Sequence, residues 1–172
     1  MTAESADDGP SAHGTAIHRA VALAIAEGVD SGAALSAIVR RVLAQPSSGR
    51  VDRASYISVL SGASAYLARG HPGSRWHLLG SEVRLGRAIA DLVFLSGPDL
   101  RPVVLVDELK TGMTWSALSS PRTIDQLERL LVGARDTWGD GLIGVRLVAP
   151  TFRFSFLVRS QDDLLRLKGL DR

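Results

Sequence analysis

Through the first seventy residues, apolar positions recur at helical spacing. "HGTAIHRAVALAIAEG" sets Ile17, Val21, Ala24 and Ile25 on one stripe and closes at Gly28, which predicts a helix over about residues 13 to 28. A second helix is predicted from about Ser31 to Ala44, with Leu35, Ile38, Val39 and Val42 on one face. "QPSSGR" reads as a loop. A third helix, "VDRASYISVLSGASAYLARG", ends at Gly70 before the turn "HPGS". Residues 1 to about 12 are small, acidic and Pro/Gly-containing, and are expected to form a disordered tail ahead of a single domain spanning 13–172.

After Trp76 the period shortens. "WHLLGSEVRL" and "AIADLVFL" predict two strands joined at Gly86-Arg87, and "VVLVDEL" a third, strongly apolar strand beyond the turn "SGPDLRP". Helical spacing returns over 122 to about 137 through Ile124, Leu127, Leu130 and Leu131. "LIGVRLVAP" and "FRFSFLV" predict two more strands, and "SQDDLLRLKGL" a short terminal helix with Ser160 as its cap. Helices, a three-stranded meander, a crossover helix and further strands predict an α/β or α+β sandwich with a mixed central sheet.

The third strand ends in an unusual cluster of charge: Asp107, Glu108 and Lys110. Strand side chains alternate, so Glu108 and Lys110 share one face while Asp107 and Leu109 share the other. The preceding strand carries a lone acid, Asp91. Antiparallel pairing through the intervening turn would bring Asp91 level with Glu108. Two carboxylates beside a lysine can hold a hard divalent cation such as Mg2+. The same triplet is also what an ordinary salt-bridged strand end would contain.

The company of these residues bears on that choice. "DLVF" followed by an apolar strand ending "DELKTG" resembles the PD-(D/E)XK nuclease superfamily, and the run Glu108-Leu109-Lys110-Thr111-Gly112 is similar to its RecB-type branch. That branch also carries a glycine, small polar residue and histidine pattern in an early helix, matched here by Gly14-Thr15-Ala16-Ile17-His18. A later helix glutamine is matched by Gln126, but Leu130 stands where the branch has a tyrosine, which puts a contact to nucleic acid in doubt. The resemblance covers about residues 13 to 130. It implies a restriction-endonuclease-like α/β core, a mixed central β-sheet flanked by helices. It also implies a metal-dependent DNA nuclease using Mg2+ or Mn2+. By that resemblance Asp91, Glu108, the Leu109 carbonyl and His18 would ligate the metal, Lys110 would act on the attacking water, and Gln126 would position substrate or lysine. Such nucleases serve DNA repair, recombination or defence against foreign DNA, and any helicase partner would be a separate protein. The alternative is a weakly active or inactive nucleic-acid-binding subunit that keeps the fold.

Composition adds limits. The chain has 20 basic and 18 acidic side chains and no cysteine, which excludes disulfides, thiolate zinc sites and an iron–sulfur cluster. All but two of the basic residues are arginine, whose planar fork suits phosphate. No apolar run is long enough for a membrane span and no secretory signal is evident, so a cytoplasmic protein is expected. "GDGLIG" formally matches a nucleotide-binding fingerprint but follows a helix and precedes a strand, so it reads as a turn. Arg84, Arg87 and Arg122, with Trp115, are candidates for a phosphate-binding rim. Glu82 reads as an exposed strand acid.

Overall fold

The computed structural model describes residues 12–44, 52–97, 102–111 and 114–171. The expected N-terminal tail, the "QPSSGR" loop and Gly112 lie outside the described residues, apart from Ala12, which opens the first helix.

Three helices come first: α1 (Ala12–Ala26), α2 (Gly32–Leu43) and α3 (Arg53–Arg69). Ser31 caps α2 by accepting from the Ala34 N–H, and Asp52 caps α3 by accepting from the Ser55 N–H, so each start satisfies one otherwise orphaned donor. Strands β1 (Trp76–Leu85), β2 (Ala88–Ser96) and β3 (Val104–Leu109) follow. A one-turn helix α4 (Trp115–Leu118), which no sequence period announced, leads into α5 (Pro121–Trp138). Strands β4 (Leu142–Ala149) and β5 (Phe154–Val158) and helix α6 (Gln161–Lys168) complete the chain. At α6, Ser160 and Asp163 form a reciprocal capping box.

The sheet order is β1-β2-β3-β4-β5, and only the β3–β4 pair is parallel, as a helical crossover through α5 requires. The fold is therefore α/β, a five-stranded mixed sheet with helices on both faces. The β1–β2 hairpin closes over Gly86-Arg87, with Gly86 at φ 60°, the glycine-first conformation favoured in tight hairpins. β5 begins two residues later than the apolar pattern suggests. Pro150–Phe152 form a 3-10 turn and Arg153 is left-handed (φ 53°), so the chain reverses before it can pair.

Two apolar layers sandwich the sheet. Helices α1–α3 pack on Leu92, Phe94, Leu105 and Leu109, and helices α5 and α6 pack on Val93, Val104, Val106 and Leu147. Along β2, Ala90 belongs to the second layer but Leu92 to the first, so strict alternation fails at Asp91. Opposite that point on β1, Glu82 holds a left-handed φ of 52° between the paired residues Ser81 and Val83.

Candidate functional site

Every residue of β3 is buried, including two carboxylates, and removing a charge from water costs several kcal/mol unless it is partnered. Alternation sends the two acids to opposite layers, and each meets a different set of partners.

Asp107 faces α3. Its oxygens accept from Arg146 Nε at 2.8 Å and Arg146 Nη2 at 2.6 Å, and Tyr66 donates its hydroxyl at 2.6 Å. Arg146 also donates to the Gly70 carbonyl at 2.6 Å, tying β3 and β4 to the end of α3. Burial still leaves the Asp107 carboxyl above its ordinary value, against the pull of Arg146 and Tyr66. This is a structural ion pair, and its partners were not singled out from sequence. The available signals were an arginine inside the apolar run "LIGVRLVAP" and a tyrosine in a helix of mostly small residues.

Glu108 faces α5 and is 2% exposed. Its Oε1 accepts from Lys110 Nζ at 2.9 Å and from Gln126 Nε2 at 2.6 Å, while Gln126 Oε1 accepts from Lys110 Nζ at 2.7 Å. Only one orientation of the Gln126 amide can donate to the carboxylate and accept from the ammonium, so the triangle is self-consistent. Burial, and then the neighbouring charge of Asp91, push Glu108 up to about 7, against the opposing pull of Lys110.

Leu92 pairs with Asp107, so the next step of the ladder sets Asp91 beside Glu108. The Leu109 N–H donates to Asp91 Oδ2 at 2.7 Å, and His18 Nδ1 lies 3.0 Å from Asp91 Oδ1. The Leu109 side chain itself points into the α1–α3 layer. Burial lowers the His18 pKa, but the Asp91 bond, then the charges of Asp91 and Glu108, outweigh it and leave His18 above its ordinary value.

Two buried polar atoms at this point have no partner among the described residues: His18 Nε2 and Glu108 Oε2. An imidazole nitrogen and a carboxylate oxygen are divalent-cation donors, and a carboxylate on the far nitrogen of a ligating histidine is the usual orienting partner. The donor set thus fits a hard divalent ion in chemistry. Its present placement is incomplete: among the described residues no three His, Asp or Glu side chains are grouped so as to hold a metal. Both Asp91 oxygens are already engaged by His18 and Leu109.

A cleft of about 490 Å3 opens beside His18 and Asp91, between α1 and β1, and Arg19, Leu79 and Glu82 also line it. Arg84, Arg87 and Arg122 are exposed, as is Trp115. Leu130 is wholly buried in the α5 layer, so that position offers nothing to a ligand. Among the described residues no helix is long and apolar enough to cross a membrane. Comparison with protein-family models, with curated proteins and with solved structures gave no match.

Proposed function

We propose that the chain is a metal-dependent nuclease of the PD-(D/E)XK type, with a restriction-endonuclease-like core of the RecB-type branch, hydrolysing phosphodiester bonds in DNA. The observation that supports this reading is the state of Glu108. It is a buried carboxylate with one oxygen held by Lys110 and Gln126, the other unpartnered, and Asp91 on the adjacent strand. Such an arrangement leaves negative charge poorly compensated, which a bound cation would offset.

Mg2+ or Mn2+, when bound by Glu108, His18 and Asp91, would supply Lewis acidity toward the phosphoryl oxygens and an acidified water. The protein's own groups have separable tasks. Gln126 and Glu108 hold Lys110 Nζ by two of its three N–H bonds, which leaves the third to orient the attacking water or a phosphoryl oxygen. Asp91 holds the His18 ring through Nδ1, which leaves the buried Nε2 as the nitrogen without a partner. DNA repair, recombination or defence against foreign DNA are the settings in which such an enzyme would serve.

A second reading, a nucleic-acid-binding subunit without catalysis, is favoured by the engagement of both Asp91 oxygens. Cleavage assays on linear single- and double-stranded DNA with Mg2+, Mn2+ or EDTA decide between them. The nuclease reading expects metal-dependent cutting that Glu108→Ala and Lys110→Ala abolish while DNA binding persists. DNA binding with no cutting under either ion gives the second reading.

A further inference from the structure

The chain has nine aromatic residues other than histidine, and only Tyr66 and Phe94 are fully buried in its core. Four of the others gather at one edge. Trp115 meets Phe152 edge-to-face at 5.7 Å and Phe154 at 5.2 Å, and Phe154 stacks on Phe156 at 6.3 Å. Trp115 is nevertheless 44% exposed and Phe152 39%. A core function would not leave the two tips of such a cluster in water.

The topology places this cluster beside the candidate site. β3 and β4 are parallel, so their carboxyl ends lie together, with Leu109 paired to Val148 and Phe154 paired to Ala149. Trp115 follows the end of β3, and Phe152 and Phe154 follow the end of β4. Phe154 and Phe156 pack on the α5 layer, the same side of the sheet toward which Glu108 and Gln126 turn. Helix α4 is held in place by buried Leu118 and by the Thr123 hydroxyl donating to the Ala117 carbonyl at 2.8 Å. Its tryptophan is thereby pinned, with two phenylalanines fixing the ring before any ligand arrives, and preorganisation of this kind lowers the cost of binding.

Charge selects the occupant. Neither Thr114–Arg122 nor Pro150–Val158 contains an acidic residue, and Arg122 and Arg153 are exposed along them. Arg153 holds its left-handed backbone between two of the phenylalanines, a conformation that non-glycine residues rarely adopt. An exposed flat aromatic rimmed by guanidinium groups matches an unpaired nucleotide, whose base has a π-face and whose phosphates are anionic.

We infer that Trp115, braced by Phe152 and Phe154, is a stacking platform for an unpaired base of the substrate strand next to the Glu108 site. The inference rests on the proposed nuclease reading for its setting, but its test is separable. Binding of the full chain to fluorescein-labelled oligothymidylate, and to a duplex of equal length, is followed by anisotropy in EDTA. Cleavage of both is measured in parallel with Mn2+. Trp115→Ala is expected to weaken single-strand binding roughly ten- to hundredfold and duplex binding much less, and Trp115→Phe to restore most of it. Unchanged single-strand binding overturns the platform, as does equal loss on both substrates. A change of oligomeric state in Trp115→Ala by light scattering overturns it too, since the cluster would then be a contact with a second copy. If Trp115→Ala fails to fold, Phe152→Ala carries the same comparison. Trp115-dependent binding with no cleavage by the wild type sinks the nuclease reading and leaves the platform standing. Glu108-dependent cleavage that Trp115→Ala leaves untouched does the reverse.

Discussion

Gln126, on the crossover helix, donates its side-chain N–H to Glu108 Oε1 at 2.6 Å and so holds a strand carboxylate from another element. The same amide accepts from Lys110, which makes Gln126 the brace for both charged residues of the site.

Gln126→Ala is therefore expected to loosen Glu108 and Lys110 together while leaving the fold intact. Under the nuclease reading, single-turnover cleavage should fall by about tenfold to a hundredfold, the usual penalty for a misplaced catalytic group. Gln126→Glu should be worse, because it sets a second carboxylate against Glu108. Cleavage kinetics at saturating metal, beside a thermal melt, check the contrast. Equal rates for wild type and Gln126→Ala would remove Gln126 from the site.

The metal-free protein should lose stability as pH rises through the window set by Glu108. Its folded carboxyl keeps a proton up to about 7, whereas the unfolded group releases it near 4.5. Between those values the folded state binds more protons, so unfolding becomes easier with increasing pH. The upward shift of His18 acts in the same direction above 6.5. Glu108→Gln is expected to flatten the curve and to be more stable than wild type at pH 8 in EDTA. Urea titrations across pH 4 to 8.5 measure it, and a wild-type curve rising over that range would contradict the assignment.

Asp107 should behave as a structural residue. Asp107→Ala strands the Arg146 guanidinium in a site where its side chain is only 16% exposed, at a cost of about 3–5 kcal/mol. Tyr66→Phe removes one bond to the buried carboxylate and should cost about 1.5–3 kcal/mol. Chemical denaturation reads both. Under the nuclease reading, folded Tyr66→Phe protein should cleave DNA like the wild type, which separates this network from the Glu108 site.

Gly133 marks where α5 crosses the β1–β2 hairpin. A Cβ there would meet the Leu85 carbonyl oxygen at 2.5 Å, and backbone cannot move aside cheaply. Gly133→Ala should therefore destabilise by about 1–3 kcal/mol and shift the helix that carries Gln126. Gly62→Ala is the control: its Cβ meets the Ile17 side chain, Cδ1 at 2.7 Å and the two γ carbons at 3.1 and 3.2 Å, and a side chain gives way more cheaply than backbone, so the loss should be smaller. Equal melting temperatures for the two variants would refute the close crossing.

The linear chain determined a good deal about this protein. The change from helical to alternating period located three helices, a meander and a crossover helix, because burial of one face imposes its period locally. Alternation within "VVLVDELK" also separated Asp107 from Glu108 and Lys110. A count across one turn brings Asp91 level with Glu108 once extra loop residues are allowed on its second side, since antiparallel register follows from turn position. Only the tertiary structure decided which distant groups meet these charges. Tyr66 and Arg146 come to Asp107, and His18 to Asp91, through packing of α3, β4 and α1, and no local period encodes that packing. The short helix carrying Trp115 was likewise invisible, because one turn is too brief to show a repeat. Its place beside the site comes from the parallel pairing of β3 and β4, which brings two separate loops to the same end of the sheet.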